Sequence, residues 1–63
     1  NSAAGIIHVH NHPTGNPEPS REDKELTERF VRCGDLIGID LVDHIIIGGD
    51  SYVSMRERGL CNI

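Results

Sequence analysis

"HVHNHPTGNPEPSRED", residues 8–23, decides how the rest of the chain is read. His8, His10 and His12 fall on alternate positions, and Pro13 to Pro19 hold three prolines and a glycine. Ser20 and Asp23 follow with Ser-x-x-Asp spacing. Alternation is the period of a strand, so the three imidazoles share one side of it, and His10 and His12 have Cα atoms about 6.5 Å apart. The proline-rich run continues neither strand nor helix. Ser20 is a good helix N-cap, and Asp23 sits where a capping box places its acid. Two readings stay open on these residues. One is a strand, a turn and a cap lying side by side. The other is a metal site, with two imidazoles from the strand end and one carboxylate from the helix start. That ligand count leaves a fourth zinc position free, as in catalytic sites.

Working outward, Ala3 to Val9 reads as a buried strand of β-formers. Beyond Ser20, the acids Glu22, Asp23 and Glu25 crowd a first helical turn, where the helix dipole favours them. Leu26, Phe30, Cys33 or Gly34, and Ile37 recur at helical spacing and predict one buried face. Gly38 is the expected C-terminal stop. Gly34 inside a helix costs about 1 kcal/mol against alanine, which predicts a close packing contact there. Leu41 to Ile47, "LVDHIII", reads as a strand buried on both faces, and "GGDS" as a turn. Ser51 to Met55 is a short third strand. Ser54-x-x-Glu57 and Gly59 bound a final helical turn. The fold class is therefore α/β, in the order β-α-β-β plus a short helical turn.

The bulk properties narrow the function classes. A chain of 63 residues forms one small domain, and at this size it buries only about 60% of its unfolded surface. The hydrophobic fraction is 37%, with one Phe, one Tyr and no Trp, so the core is thin and calls for a metal, a partner or more chain. The net charge is −4, and the basic residues are interleaved with acids. No basic stripe is available to neutralise phosphates, which argues against DNA contact through this segment. The longest apolar run, Ile45 to Ile47, is far too short to span a membrane. Cys33 and Cys61 read as reduced thiols, Cys33 packed on the helix face and Cys61 exposed near the end. With no targeting segment, the expected location is the cytoplasm. The abrupt start, "NSAAGII", suggests an internal piece of a longer domain.

The joint spacing His10-x-His12-x7-Ser20-x2-Asp23 resembles the JAMM motif of the MPN/JAB metallopeptidases. "HNHPTGNPEPSRED" and "DHIIIGG", together with "NSAAGII" and "SYVSMRERG", resemble the bacterial RadC (UPF0758) family along nearly the whole chain. The resemblance implies a JAB/MPN (cytidine-deaminase-like) α-β-α sandwich, with residues 1–63 forming a single partial domain, its C-terminal half. It implies Zn2+ held by His10, His12 and Asp23, with Ser20 as a hydrogen-bond donor to a tetrahedral oxyanion. It also implies a glutamate general base on an upstream strand. Glu18 and Glu22 do not stand in that place, so the chain alone is expected to be inactive. His8 is no ligand of the motif, and His44 reads as a satisfied core histidine.

Three functions compete at this point. The first is zinc-assisted amide or isopeptide hydrolysis on a peptide or protein substrate. The second is a non-catalytic structural or protein-interaction module. The third is a DNA-repair-associated factor, suggested by the family's traditional name and unsupported by the charge pattern. Open strand edges also make a homo-oligomer an expectation.

Overall fold

The computed structural model describes residues 4–61 and 63. Strand β1 spans Ala4–Asn11, helix α1 Arg21–Ile37, strand β2 Ile39–Gly48 and strand β3 Ser51–Ser54. The three strands form one mixed sheet in the order β1-β2-β3. β1 runs parallel to β2, and β3 returns antiparallel to it. The helix is the connection that a parallel pair requires. It covers one face of the sheet, and among the described residues it is the sole helical layer. Among the described residues, no helix is long and apolar enough to cross a membrane.

The expected order of elements is therefore present, with corrections in what each element buries. β1 extends two residues beyond Val9, which brings His10 into the ladder. Ala3 lies outside the described residues. β1 is an edge strand with its outer side uncovered, so Ile7 and Val9 are exposed rather than buried, and Ile6, near the strand's start, is exposed as well. β2 likewise buries one face, not two. Leu41, His44, Ile46 and Gly48 face inward, while Val42 and Ile47 are exposed. The inward parity changes between Leu41 and His44 because the register with β1 slips there: Ile6 pairs with Leu41 and Ile7 with Asp43. The extra residue, Val42, is the bulge that turns His44 toward the helix.

Helix α1 starts and stops where its caps predict. Ser20 is the N-cap of a complete capping box, and Gly38 is a left-handed C-cap with φ 75°. The buried stripe, however, is Asp23, Thr27 and Gly34, with Phe30 half-buried. Cys33 and Ile37 point to solvent, so the expected face is rotated and Cys33 is not a packing residue. Two polar residues take the inner face because their hydrogen bonds are met there. Gly34 makes the close contact its position predicts: a Cβ would lie 2.0 Å from the Ile39 carbonyl oxygen. Cys61 is half-buried, and both cysteines are free thiols.

After β3, residues 55–59 form hydrogen-bonded turns rather than a helix. The Arg58 N–H donates to the Ser54 carbonyl, and the Glu57 N–H donates to the Ser54 hydroxyl, so Ser54 still caps that turn. Gly59 ends it with φ 69°. The apolar core is small: Leu41, Ile46, Val53 and Met55.

Candidate metal centre

The parallel ladder fixes the first two side chains. His10 pairs with Ile46 on β2, and the backbone N–H of His12 still reaches the Ile47 carbonyl at 2.8 Å. The strand geometry therefore persists to His12, and the two rings share one side, 4.7 Å between centroids. The chain then reverses, with the Gly15 N–H donating to the His12 carbonyl and Gly15 at φ 86°. This loop lies directly on the end of β2. A Cβ at Gly48 would fall 2.6 Å from the Pro17 nitrogen and 2.7 Å from the Asn16 carbonyl carbon. Only glycine lets the loop pass there.

The capping box fixes the third side chain. The Ser20 N–H donates to Asp23 Oδ2 at 2.7 Å, and the Asp23 N–H donates to Ser20 Oγ at 3.1 Å. Accepting that bond leaves the Ser20 hydroxyl its own proton to donate. The carboxylate thus held meets both imidazoles: His12 Nε2 lies 2.9 Å from Oδ2 and His10 Nε2 lies 3.3 Å from Oδ1. His10, His12 and Asp23 offer one ligand atom each, all within 4.8 Å of one another. The cap and the candidate site share Asp23, because the cap is what aims the carboxylate.

Burial pushes the Asp23 carboxyl up, but the Ser20 N–H, the Ser20 side chain, His10 and His12 outweigh it and hold it below the ordinary aspartate value. It is an anion at neutral pH. Each histidine is also engaged on its far side. His12 Nδ1 lies 2.9 Å from the Asn16 carbonyl oxygen, which can only accept, so Nδ1 carries a proton. His12 is thus flanked by two acceptors, a carbonyl and a carboxylate. A neutral ring has one N–H and cannot serve both. The ring must either take a second proton or place its Nε2 lone pair on a cation shared with Asp23.

His44 extends the site inward. It is fully buried, with both nitrogens in contact: Nδ1 with Thr27 Oγ1 and Nε2 with His10 Nδ1 at 3.2 Å. Burial, with His8 and His10 beside it, holds its pKa below the usual histidine value despite Asp23 and Asp43, so the ring is neutral. This agrees with a satisfied core histidine and adds a contact with the site that its sequence position did not reveal. His8 packs against Phe30 at 5.2 Å and edge-on to His44 at 4.6 Å between centroids. Thr27 drew no attention in the sequence. Its one signal was its place a helical turn after Asp23, on the same face.

Glu18 is exposed and paired with Arg58, and Glu22 is exposed on the helix's first turn. Among the described residues, neither joins the His10, His12 and Asp23 group.

With this geometry in view, the comparison with known families is decisive. A sequence model described as RadC-like JAB domain matches residues 1–60. The chain belongs to that family. UPF0758 protein YsxA of Bacillus subtilis strain 168 is 59% identical over 58 residues, covering 92% of this chain and 25% of that protein. UPF0758 proteins of Geobacillus sp. strain WCH70 and Bacillus pumilus are 59% identical over the same length, which is 26% of each. The chain therefore spans about a quarter of the length of the curated relatives it matches.

Proposed function

We propose that this RadC-like JAB chain is the metal-binding part of a zinc-dependent hydrolase that cleaves amide or isopeptide bonds. The observation that supports the reading is His12, held between the Asn16 carbonyl and the Asp23 carboxylate, where its Nε2 lone pair and an Asp23 oxygen can share a cation. His10 Nε2, His12 Nε2 and one Asp23 oxygen would hold the ion. Two nitrogen donors and one carboxylate suit Zn2+ and keep one coordination position open. Zinc bound there supplies Lewis acidity, lowering the pKa of a coordinated water to about 7.

The chain's own residues do the rest. Ser20 N–H fixes the carboxylate, and the Asn16 carbonyl orients the His12 ring. The Ser20 hydroxyl proton is free to stabilise an oxygen that gains negative charge. Glu18 is tied to Arg58 and Glu22 is exposed on the helix, so this reading takes neither as the proton-transferring carboxylate, and the 63 residues alone are inactive in it. They form the C-terminal half of a JAB domain, and reduced Cys33 and Cys61 support a cytoplasmic setting. No basic stripe supports a DNA-binding role.

The test is hydrolysis of peptide and isopeptide-linked substrates by the intact protein, with zinc and with chelator. Cleavage that needs zinc and falls with Ser20→Ala supports the proposal. Cleavage that ignores both removes it and favours a structural or protein-interaction module.

A further inference from the structure

Thr27 has one hydroxyl proton and three neighbours that can accept it, the Met55 sulfur at 3.5 Å being the weakest. Its Oγ1 lies 2.8 Å from the Asp23 carbonyl oxygen, which can only accept. The back-bond to the carbonyl four residues earlier, at hydrogen-bonding length, places the proton there. The contact between Thr27 Oγ1 and His44 Nδ1 must then be donated by the ring, so His44 carries its proton on Nδ1. The fully buried ring then presents Nε2 as the acceptor that faces His10 Nδ1 at 3.2 Å. That contact too needs a proton, and only His10 Nδ1 can give it. His10 thereby keeps its Nε2 turned toward Asp23.

We propose that Thr27 and His44 are positioning residues that select Nε2 as the donor atom of His10, through the chain Asp23 carbonyl, Thr27 hydroxyl, His44 ring, His10 Nδ1. The inference rests on the metal reading above and deepens it. Asp23 then acts twice: its carboxylate meets His10 on one side, and its carbonyl sets His10's tautomer from the other. The relay also assigns His8. His8, His10 and His44 offer three nitrogens within 4.8 Å of one another, which resembles a second metal site. The hydrogen bond from His10 Nδ1 to His44 Nε2 engages both of those rings, so His8 serves as packing against His44 and Phe30.

The test is made on the intact protein in two parts. In the chelator-treated protein, long-range nitrogen–proton NMR of the imidazoles reads the His44 tautomer directly. The relay requires the proton on Nδ1; a proton on Nε2 overturns it. Zinc affinity is then compared by chelator competition in Thr27→Val and Thr27→Ser. Valine keeps the shape and removes the hydroxyl, and is expected to weaken zinc roughly 10- to 100-fold, the usual cost of losing a partner behind a ligand. Serine restores the hydroxyl and is expected to bind as wild type does. Wild-type affinity in Thr27→Val, or two zinc ions per chain, overturns the relay. A failure of the metal reading shows separately, as no zinc uptake by the wild-type protein, and the His44 tautomer then still decides the hydrogen-bond chain.

Discussion

Asp23 and Asp43 are both sheltered carboxylates beside a serine, and they differ in what faces them. Asp43 accepts from the His44 N–H at 2.7 Å, the Arg56 N–H at 3.0 Å and the Ser54 hydroxyl. Each partner brings its own proton, and together they tie β2 to the turn after β3. Asp23 accepts one such bond, from the Ser20 N–H, and otherwise faces His10 Nε2 and His12 Nε2. Burial pushes both carboxyls up, and their hydrogen bonds bring both below the ordinary value. The two acids shift in the same direction, and the identity of the partners separates a fastening from a candidate site. A carboxylate saturated by protein donors holds the fold. A carboxylate facing ring nitrogens that are engaged elsewhere is the one proposed to take a cation.

The largest expected effect breaks that pair apart. Asp23→Asn removes an anionic ligand and is expected to weaken zinc binding by more than ~100-fold, beyond the usual loss for a partner behind the ligands. Asp43→Asn should leave zinc affinity within a few-fold of wild type. Chelator competition on both variants checks this, and equal losses would erase the distinction.

A change remote from both acids comes next. Gly34→Ala gains helix propensity worth about 1 kcal/mol, yet its Cβ would meet the Ile39 backbone at 2.0 Å. Overpacking wins, with an expected loss of about 3 kcal/mol in denaturant melts.

Asp43→Asn is expected to cost about 2 kcal/mol of stability near neutral pH, as for bonds to a charged acceptor. The sign with pH follows from the lowered carboxyl. The folded-state value lies below the unfolded one, so the stabilisation is complete above about pH 4 and is lost as the pH falls through the folded value. The gap between wild type and variant should be widest above about pH 4 and close in acid. A gap that widens in acid would reverse the assignment. The smallest effect belongs to the exposed ion pair of Arg58 and Glu18. Solvent screens it, and Arg58→Ala should leave the melt unchanged within error.

Much of this was legible in the sequence because it is local. Ser20 and Gly38 bound the helix by their own chemistry, and the alternation of His10 and His12 needs no tertiary information. What each element buries was not legible. The β-branched residues of β1 and β2 suit a strand covered on one face or on two, and nothing in "GIIHV" says that helix α1 covers one side alone. The helix stripe was misplaced because Thr27 and Asp23 look like surface residues until their partners are known. Those partners, His44 above all, depend on the register between β1 and β2. The bulge at Val42 sets that register and leaves no mark in the spacing of the apolar residues.

The central claim is that residues 10–23 form a cation site, and a zinc count on the intact purified protein, repeated on Asp23→Asn, tests it most directly. The account predicts one zinc ion per chain in the wild type, removed by chelator with a lower melting temperature, and none in the variant. No zinc in the wild type, or one ion retained in Asp23→Asn, would contradict it.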